Sequence, residues 1–164
     1  MPTCPKCNTL QKRRKDECCP NCGEPVKLYK GFWVSTSDGS PTKTIYKHFL
    51  ELQKQKIKKR YPLSEPKVEY AVGDAYYREL SISQKLFKKA GGNVALVLQV
   101  LDYLTFDKAY AWKNRLFLAS YYRDFDTGLA ITRAKLEHEK AEEEINSNKV
   151  RRLLEQDDIF INAY

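Results

Sequence analysis

The segment Cys4-Pro5-Lys6-Cys7 … Cys19-Pro20-Asn21-Cys22-Gly23 decides the fold of the first part of this chain, with eleven residues between the two CPxC pairs. Each pair can form a tight knuckle whose backbone N–H groups point toward the thiolates. Two such knuckles can close a tetrahedral site of four thiolates around Zn²⁺. The predicted ligands of one structural zinc ion are Cys4, Cys7, Cys19 and Cys22.

The fifth cysteine, Cys18, directly precedes the second pair. Pro20 and Gly23 fit the knuckle pattern only when Cys19 and Cys22 are the ligands, so we expect Cys18 to be a neighbour of the site. A shell of four protein thiolates leaves no position for water or substrate, which predicts a structural metal rather than a catalytic one. Cysteines clustered in this way are typical of metal binding in a reducing compartment and not of a secreted disulfide scaffold.

The overall composition is that of a globular chain: 164 residues, of which 42% are hydrophobic and 30% charged. The longest apolar run, Val94 to Leu98, is too short to span a membrane. The first residues lead straight into the cysteine motif without an apolar segment, unlike a signal peptide. We therefore expect an intracellular protein with no membrane partner.

Positive charge is concentrated in the first third of the chain. Residues 1–60 contain 14 Lys and Arg against 5 Asp and Glu, whereas residues 135–164 contain 5 against 8. A basic end of this kind predicts a polyanionic partner, and nucleic acid is the most common one.

The residue patterns predict a small N-terminal zinc β-ribbon followed by a mainly α-helical domain of about five helices. The predicted divisions are a ribbon at 1–34, a linker at 35–42, a helical domain at 43–154 and an acidic, then apolar tail at 155–164. The linker sequence STSDGSPT is rich in residues that favour turns.

Local signals place the individual helices. Thr42 or Thr44 is expected to cap the first, which runs to about Arg60, before two prolines. The second covers about 73–90 and ends at Gly91-Gly92, and Asn93 caps a third that is apolar on nearly all sides. A fourth is expected at 108–122. A fifth is expected to begin at Asp126-Thr127 and to break at Asn146-Ser147-Asn148.

Two basic clusters are candidate phosphate contacts. One lies between the knuckles and the other at the end of the first helix, and several cations on one chain favour a phosphate backbone. The candidate residues are Lys12, Arg13, Arg14, Lys15, Lys54, Lys56, Lys58, Lys59 and Arg60. The alternatives are a solvated hairpin for the first cluster and simple solubility for the second. Trp33 is more readily explained by packing than by base stacking.

The residues that could perform catalysis are few. His48 and His138 are the only histidines, and each is interpreted as a surface or half-buried imidazole. Asp124 and Asp126 precede a helix and are expected to cap it. Glycine-rich phosphate loops, nucleophile elbows and H-E-x-x-H motifs are absent from the sequence. We therefore predict a protein that is not an enzyme.

The knuckle motifs CPKC and CPNCG resemble those of the zinc ribbon family, which implies a small β-fold that docks on nucleic acid or protein. Residues 77–125 resemble the helical module of phage replication and helicase-loading accessory proteins. The matching positions are Leu86, Lys88-Lys89, Gly91-Gly92, Leu101 to Leu104, Trp112 and Asn114. The segment Asp157 to Phe160 resembles the partner-docking tips of bacterial single-strand binding proteins, although four residues follow it here and a frayed or packed C-terminus is the alternative.

Together these features predict a non-catalytic nucleic-acid-binding accessory factor that acts on single-stranded or forked DNA in phage-type replication or recombination. A protein partner would bind the helical domain or the tail. The alternative is a protein-interaction regulator whose ribbon docks on a polymerase or another large enzyme without touching nucleic acid.

Overall fold

The structure, a computed structural model, describes residues 3–10, 18, 19, 21–107 and 117–162, the last five by backbone alone. In these residues a two-stranded antiparallel sheet is followed by five helices. The elements are β1 (Val26–Tyr29), β2 (Phe32–Ser35), α1 (Pro41–Arg60), α2 (Asp74–Lys89), α3 (Val94–Phe106), α4 (Ala119–Tyr122) and α5 (Phe125–Asn162). The predicted fold class, a small β-ribbon before a mainly helical part, is confirmed.

The hairpin of β1 and β2 turns through two residues, because Tyr29 pairs with Phe32 across the strands. Lys30 and Gly31 both have positive φ angles, of 46° and 84°. Two positive φ angles in a two-residue loop are those of a type I′ turn, whose twist matches the twist of the strands. The turn thereby fixes which side chains of the two strands share a face.

Helix α1 begins earlier than the sequence predicted, and the predicted cap at Thr42 or Thr44 is wrong. Ser40 is the N-cap, and its side chain accepts a hydrogen bond from the Lys43 N–H. Pro41 follows as the first helical residue, where its missing N–H costs nothing and its fixed φ suits the helix. The stretch expected as a linker at 35–42 thus includes the end of β2 and the start of α1.

The ends of α2 and α3 agree with their sequence signals. The N–H groups of Gly91 and Gly92 bond to the last carbonyls of α2, and both glycines have positive φ angles. The Asn93 side chain accepts from the Leu96 N–H and caps α3. Six of the thirteen residues of α3 are buried, so the helix contributes one face to the core and is less completely buried than its apolar sequence predicted.

Helix α5 runs without interruption through residues 146–148 to Asn162, so the predicted break there is wrong. Asn and Ser lower helix propensity by well under 1 kcal/mol each, and the flanking Glu, Ala, Lys, Arg and Leu residues favour helix. The segment 155–162 is therefore helical and not an irregular tail. Of the helix predicted at 108–122, residues 108–116 lie outside the described residues and α4 is a single turn.

Two compact units divide the chain at Leu129. In the first unit, residues 1–129, large side chains from the hairpin and from several helices form one core: Trp33, Ile45, Phe49, Leu80, Leu86, Leu101, Leu104, Tyr121 and Phe125. Trp33 is 2% exposed, which confirms the packing interpretation. The second unit, residues 130–164, contains most of α5. None of the helices in the described residues combines the length and apolar character needed to cross a bilayer.

Candidate metal centre and candidate nucleic-acid interface

The first knuckle is closed by two backbone hydrogen bonds. The Asn8 N–H donates to the carbonyl of Cys4 at 2.9 Å, and the Cys4 N–H donates to the carbonyl of Thr9 at 3.0 Å. Asn8 has a φ of 57°, which turns the chain back on itself after Cys7. Cys4 and Cys7 are thereby held at the two sides of one tight loop.

The second knuckle repeats this pattern at every corresponding position. The Gly23 N–H donates to the carbonyl of Cys19, and the Cys19 N–H donates to the carbonyl of Glu24, both at 2.8 Å. Gly23, like Asn8, has a positive φ, in this case 74°. Each knuckle is also bracketed by an isolated β-bridge, Thr3 with Leu10 and Cys18 with Pro25. Cys18 therefore corresponds to Thr3 and lies outside the loop that presents the thiols.

The four cysteine sulfurs of the knuckles meet in one cluster. All four Sγ atoms lie within 4.8 Å of one another, and two of the separations are 3.6 Å (Cys4 to Cys22) and 3.8 Å (Cys7 to Cys19). Four sulfurs at a Zn–S bond length of about 2.3 Å in a tetrahedron are about 3.8 Å apart. Cys4, Cys7, Cys19 and Cys22 are positioned to bind a metal ion, as in a zinc ribbon.

Each knuckle contributes one buried thiol and one that is partly exposed. Cys4 and Cys19 are 1% and 2% exposed, whereas Cys7 and Cys22 are intermediate. Burial raises the pKa of Cys4 to about 12. The protein alone therefore keeps Cys4 protonated, and a bound cation would supply the charge that favours its thiolate.

Cys7 has two hydrogen-bond partners that no motif in the sequence indicates. Cys7 Sγ lies 3.1 Å from the Thr9 hydroxyl, and Asn21 Nδ2 lies 3.5 Å from the same sulfur and 2.9 Å from Thr9 Oγ1. Hydrogen bonding with Thr9 first, and then with Asn21, lowers the pKa of Cys7 to about 5. Asn21, which lies between Cys19 and Cys22 of the second knuckle, thus supports the sulfur of Cys7 in the first knuckle.

Glu24 ties the knuckles to the hairpin. Its Oε1 accepts a hydrogen bond from the Ser35 hydroxyl at 2.7 Å, and its Oε2 lies 3.6 Å from Lys6 Nζ. The Glu24 side chain is only 11% exposed. One carboxylate therefore joins the first knuckle, the residue after the second knuckle and the last residue of β2.

The structure describes only one of the two predicted basic clusters. Lys12, Arg13, Arg14 and Lys15 lie outside the described residues. The second cluster lies on the C-terminal half of α1, where Lys58, Lys59 and Arg60 are exposed and Lys54 and Lys56 are intermediate. Lys54 Nζ lies 3.3 Å from Glu51 Oε1, so part of its charge is offset within the helix.

Exposed aromatic rings lie beside this basic end of α1. Lys59 Nζ is 5.9 Å from the ring centroid of Phe106, and Arg60 Cζ is 5.6 Å from that of Tyr61. Phe106 and Tyr61 are 38% and 57% exposed. Tyr61 directly follows the basic run, so its ring was visible in the sequence, whereas Phe106 reaches the cluster only because α3 packs on α1.

The histidines have the environments that the sequence analysis expected. His48 Nε2 lies 2.7 Å from Asp102 Oδ1, and the His48 side chain is 30% exposed. The pair joins α1 to α3 and makes His48 a satisfied, half-buried imidazole. His138 is 73% exposed, with Nδ1 3.6 Å from Glu142 Oε1 one turn away.

Comparison of the chain with models of known protein families, with curated proteins and with solved structures found no match.

Proposed function

We propose that the metal is zinc and that the protein is a non-catalytic accessory factor that binds single-stranded or forked DNA. Four thiolates are soft ligands, and their sulfurs lie within 4.8 Å of one another, with two separations, 3.6 and 3.8 Å, close to those of a tetrahedral Zn²⁺ site. Such a shell is closed, so the ion would fold the ribbon rather than act on a substrate.

The observation that carries the nucleic-acid proposal is the basic and aromatic end of α1. Three exposed cations, Lys58, Lys59 and Arg60, occupy consecutive positions there, with the rings of Tyr61 and Phe106 within 6 Å of two of them. Cations neutralise phosphates, and exposed rings stack on unpaired bases. Duplex DNA offers the phosphates but keeps its bases stacked, which is why this combination favours single strands or forks.

The setting in replication or recombination rests on the resemblance of residues 77–125 to helicase-loading modules. Factors of that class also bind proteins, and α5 offers a surface for this. Four apolar side chains on its C-terminal half are more than half exposed: Ile145, Val150, Leu153 and Leu154. We assign the partner-binding role to this helix, so replacing the four by serine should leave DNA binding unchanged.

The test is binding of the zinc-loaded full chain to labelled single-stranded, forked and duplex DNA over a salt series. The variant K58A/K59A/R60A removes the three exposed cations at the end of α1. If each contacts a phosphate of a single strand, the slope of log affinity against log salt becomes shallower by about 2, since each contact contributes about 0.7. A second variant, K12A/R13A/R14A/K15A, applies the same test to the cluster between the knuckles.

The matched control is K135A/K140A/K149A, which removes three exposed cations from α5 and changes the net charge equally. Its slope should equal that of the unmodified chain. Equal slopes for both triple variants would show that the end of α1 does not contact phosphates. Absence of binding at low salt with zinc bound would overturn the nucleic-acid proposal and favour the regulator that docks on a protein.

A further inference from the structure

We infer that the chain has a second contact for single-stranded nucleic acid, a base-stacking site formed by the tip of the β1–β2 hairpin and the neighbouring part of α2. This surface is called here the hairpin–α2 face. It consists of Tyr29, Lys30 and Phe32 of the hairpin, Arg78 of α2, and Phe117, which precedes α4. The inference deepens the proposed function and rests on it.

The hairpin places an aromatic ring in solvent beside its turn. Phe32 is 59% exposed, whereas the next residue, Trp33, is 2% exposed. The residues that follow Phe32 in β2, Trp33 and Val34, are both buried, so the exposed ring of Phe32 lies at the end of the strand beside the turn. Tyr29 pairs with Phe32 across the hairpin, and paired residues of antiparallel strands share a face. Two rings therefore flank one rigid two-residue turn.

A cleft of about 500 Å³ beside the hairpin brings cations to the Tyr29 ring. It is lined by Leu28, Tyr29 and Lys30 of the hairpin and by Asp74, Ala75 and Arg78 of α2. Lys30 Nζ lies 5.5 Å from the centroid of the Tyr29 ring. The cleft thus has an aromatic wall and a cation from each of the two elements that form it.

Arg78 extends the face to a second exposed phenylalanine. Its Cζ lies 5.1 Å from the ring centroid of Phe117, which is 51% exposed. Exposed phenylalanines cost free energy in water. Phe117 is an exposed ring next to a cation, and Phe32 is an exposed ring at the end of β2; rings and cations of this kind are what unpaired bases require. An arginine can also stack on a base with its own planar group.

The charges on this face are partly balanced. The Asp74 carboxylate lines the same cleft, and the buried Glu79 Oε1 lies 3.6 Å from Arg78 Nε. The net positive charge that remains for phosphates is therefore small, unlike that at the end of α1. We expect the rings to supply most of the affinity here, and stacking on rings depends far less on salt than phosphate contacts do.

The experiment uses the zinc-loaded full chain with Phe32→Ala and Phe117→Ala, separately and together. Each single substitution should weaken single-strand binding at least about fivefold, the lower end of what one base–aromatic stack contributes. The slope of log affinity against log salt should stay that of the unmodified chain, and duplex binding should not change. The control, Leu10→Ala, removes an apolar side chain of the same ribbon that is 64% exposed.

A rescue variant separates stacking from general apolar contact. Phe32→Tyr keeps a ring and should restore binding, whereas Phe32→Leu keeps an apolar side chain and should not. Equal rescue by both would overturn the stacking site in favour of an apolar docking surface. Zinc content and helix content of every variant confirm that the fold is retained.

The remaining outcomes distinguish this inference from the proposed function. If the unmodified chain binds single strands and the alanine variants bind equally well, the hairpin–α2 face does not contact the strand. The proposed contact at the end of α1 is then unaffected. If the unmodified chain does not bind at all, the proposed function itself fails.

Discussion

Asn8 and Gly23 occupy the same position in the two knuckles, four residues after Cys4 and Cys19, and both have left-handed backbone angles. Each donates its N–H to the carbonyl of the first cysteine of its knuckle, at 2.9 Å and 2.8 Å. Glycine adopts positive φ without strain, and asparagine tolerates it better than most residues. Both knuckles therefore need a residue with positive φ at this position, and each has one of the residue types that adopt it most readily.

Gly23→Ala should weaken metal binding through backbone strain alone. A Cβ at Gly23 would meet nothing within 4 Å, so steric overlap contributes nothing. A left-handed residue with a Cβ costs about 1–2 kcal/mol, which corresponds to metal affinity about fivefold to thirtyfold lower. Competition with a chromophoric chelator measures this affinity. Asn8→Gly relieves strain and should bind at least as tightly as the unmodified chain; equal affinity for Gly23→Ala would contradict the argument.

Cys18→Ser should retain one metal ion per chain, whereas Cys19→Ser should lose it. Cys18 is exposed and corresponds to Thr3 in the other knuckle, outside the loop that presents the thiols. Cys19 is buried and its sulfur belongs to the cluster. Metal content after exhaustive dialysis distinguishes the two. Loss of metal from the Cys18 variant with retention in the Cys19 variant would mean that the second knuckle binds in a slipped register.

Asn21→Ala should lower metal affinity by about tenfold. Residues that hydrogen-bond to a metal-binding side chain typically raise metal affinity by about tenfold to a hundredfold. The substitution removes the donor to Cys7 Sγ and the bond to Thr9 Oγ1. Chelator competition again provides the readout, with Leu10→Ala as the control on the same ribbon. An unchanged affinity would show that Thr9 alone suffices to support Cys7.

Glu79→Gln should raise the melting temperature by a few degrees at neutral pH. Burial raises the pKa of Glu79, even though the Leu118 N–H donates to its Oε2 at 2.7 Å and Arg78 lies nearby. A raised folded-state pKa means that stability falls as pH rises from the ordinary glutamate pKa through the folded one. Glutamine keeps an acceptor for Leu118 without the charge.

The gain from Glu79→Gln should therefore disappear as the pH falls below the ordinary glutamate range. Thermal unfolding of both proteins across pH measures the difference, and Glu69→Gln, at an exposed position, is the control. A difference in melting temperature that does not change with pH would mean that the buried carboxyl is not the cause.

Features with local causes were predictable from the sequence. The two CPxC knuckles, the cap at Asn93 and the stop at Gly91-Gly92 each depend on a few adjacent residues, and the structure confirms the helix signals. The start of α1 was missed because Ser40-Pro41 fits either a turn or a helix N-terminus. The continuity of α5 was not predicted because Asn146-Ser147-Asn148 is a sequence typical of a helix end. The strong helix formers on both sides of these three residues keep the helix continuous.

Contacts between distant residues could not be predicted in this way. Tyr61 follows the basic run, but Phe106 joins it only through the packing of α3 on α1. Arg78 and Phe117 meet because α2 and the residues before α4 pack in one unit. Neither the contact of Phe106 with Lys59 nor that of Phe117 with Arg78 corresponds to a spacing or motif in the sequence.

The bond between Gln84 and Trp33 gives the metal a wider effect on the protein. Gln84 Nε2 of α2 donates to the Trp33 carbonyl at 3.0 Å, and the Trp33 side chain belongs to the same core as the helices. An ion that binds only the folded ribbon stabilises everything that unfolds with it, by about 2.7 kcal/mol at a free concentration of 100 Kd. Chelation should therefore lower the melting temperature of the helices that share this core, and the fluorescence of Trp33, measured in a Trp112→Phe variant, should report both events in one transition. Metal availability should then influence the thermal stability of the whole 1–129 unit.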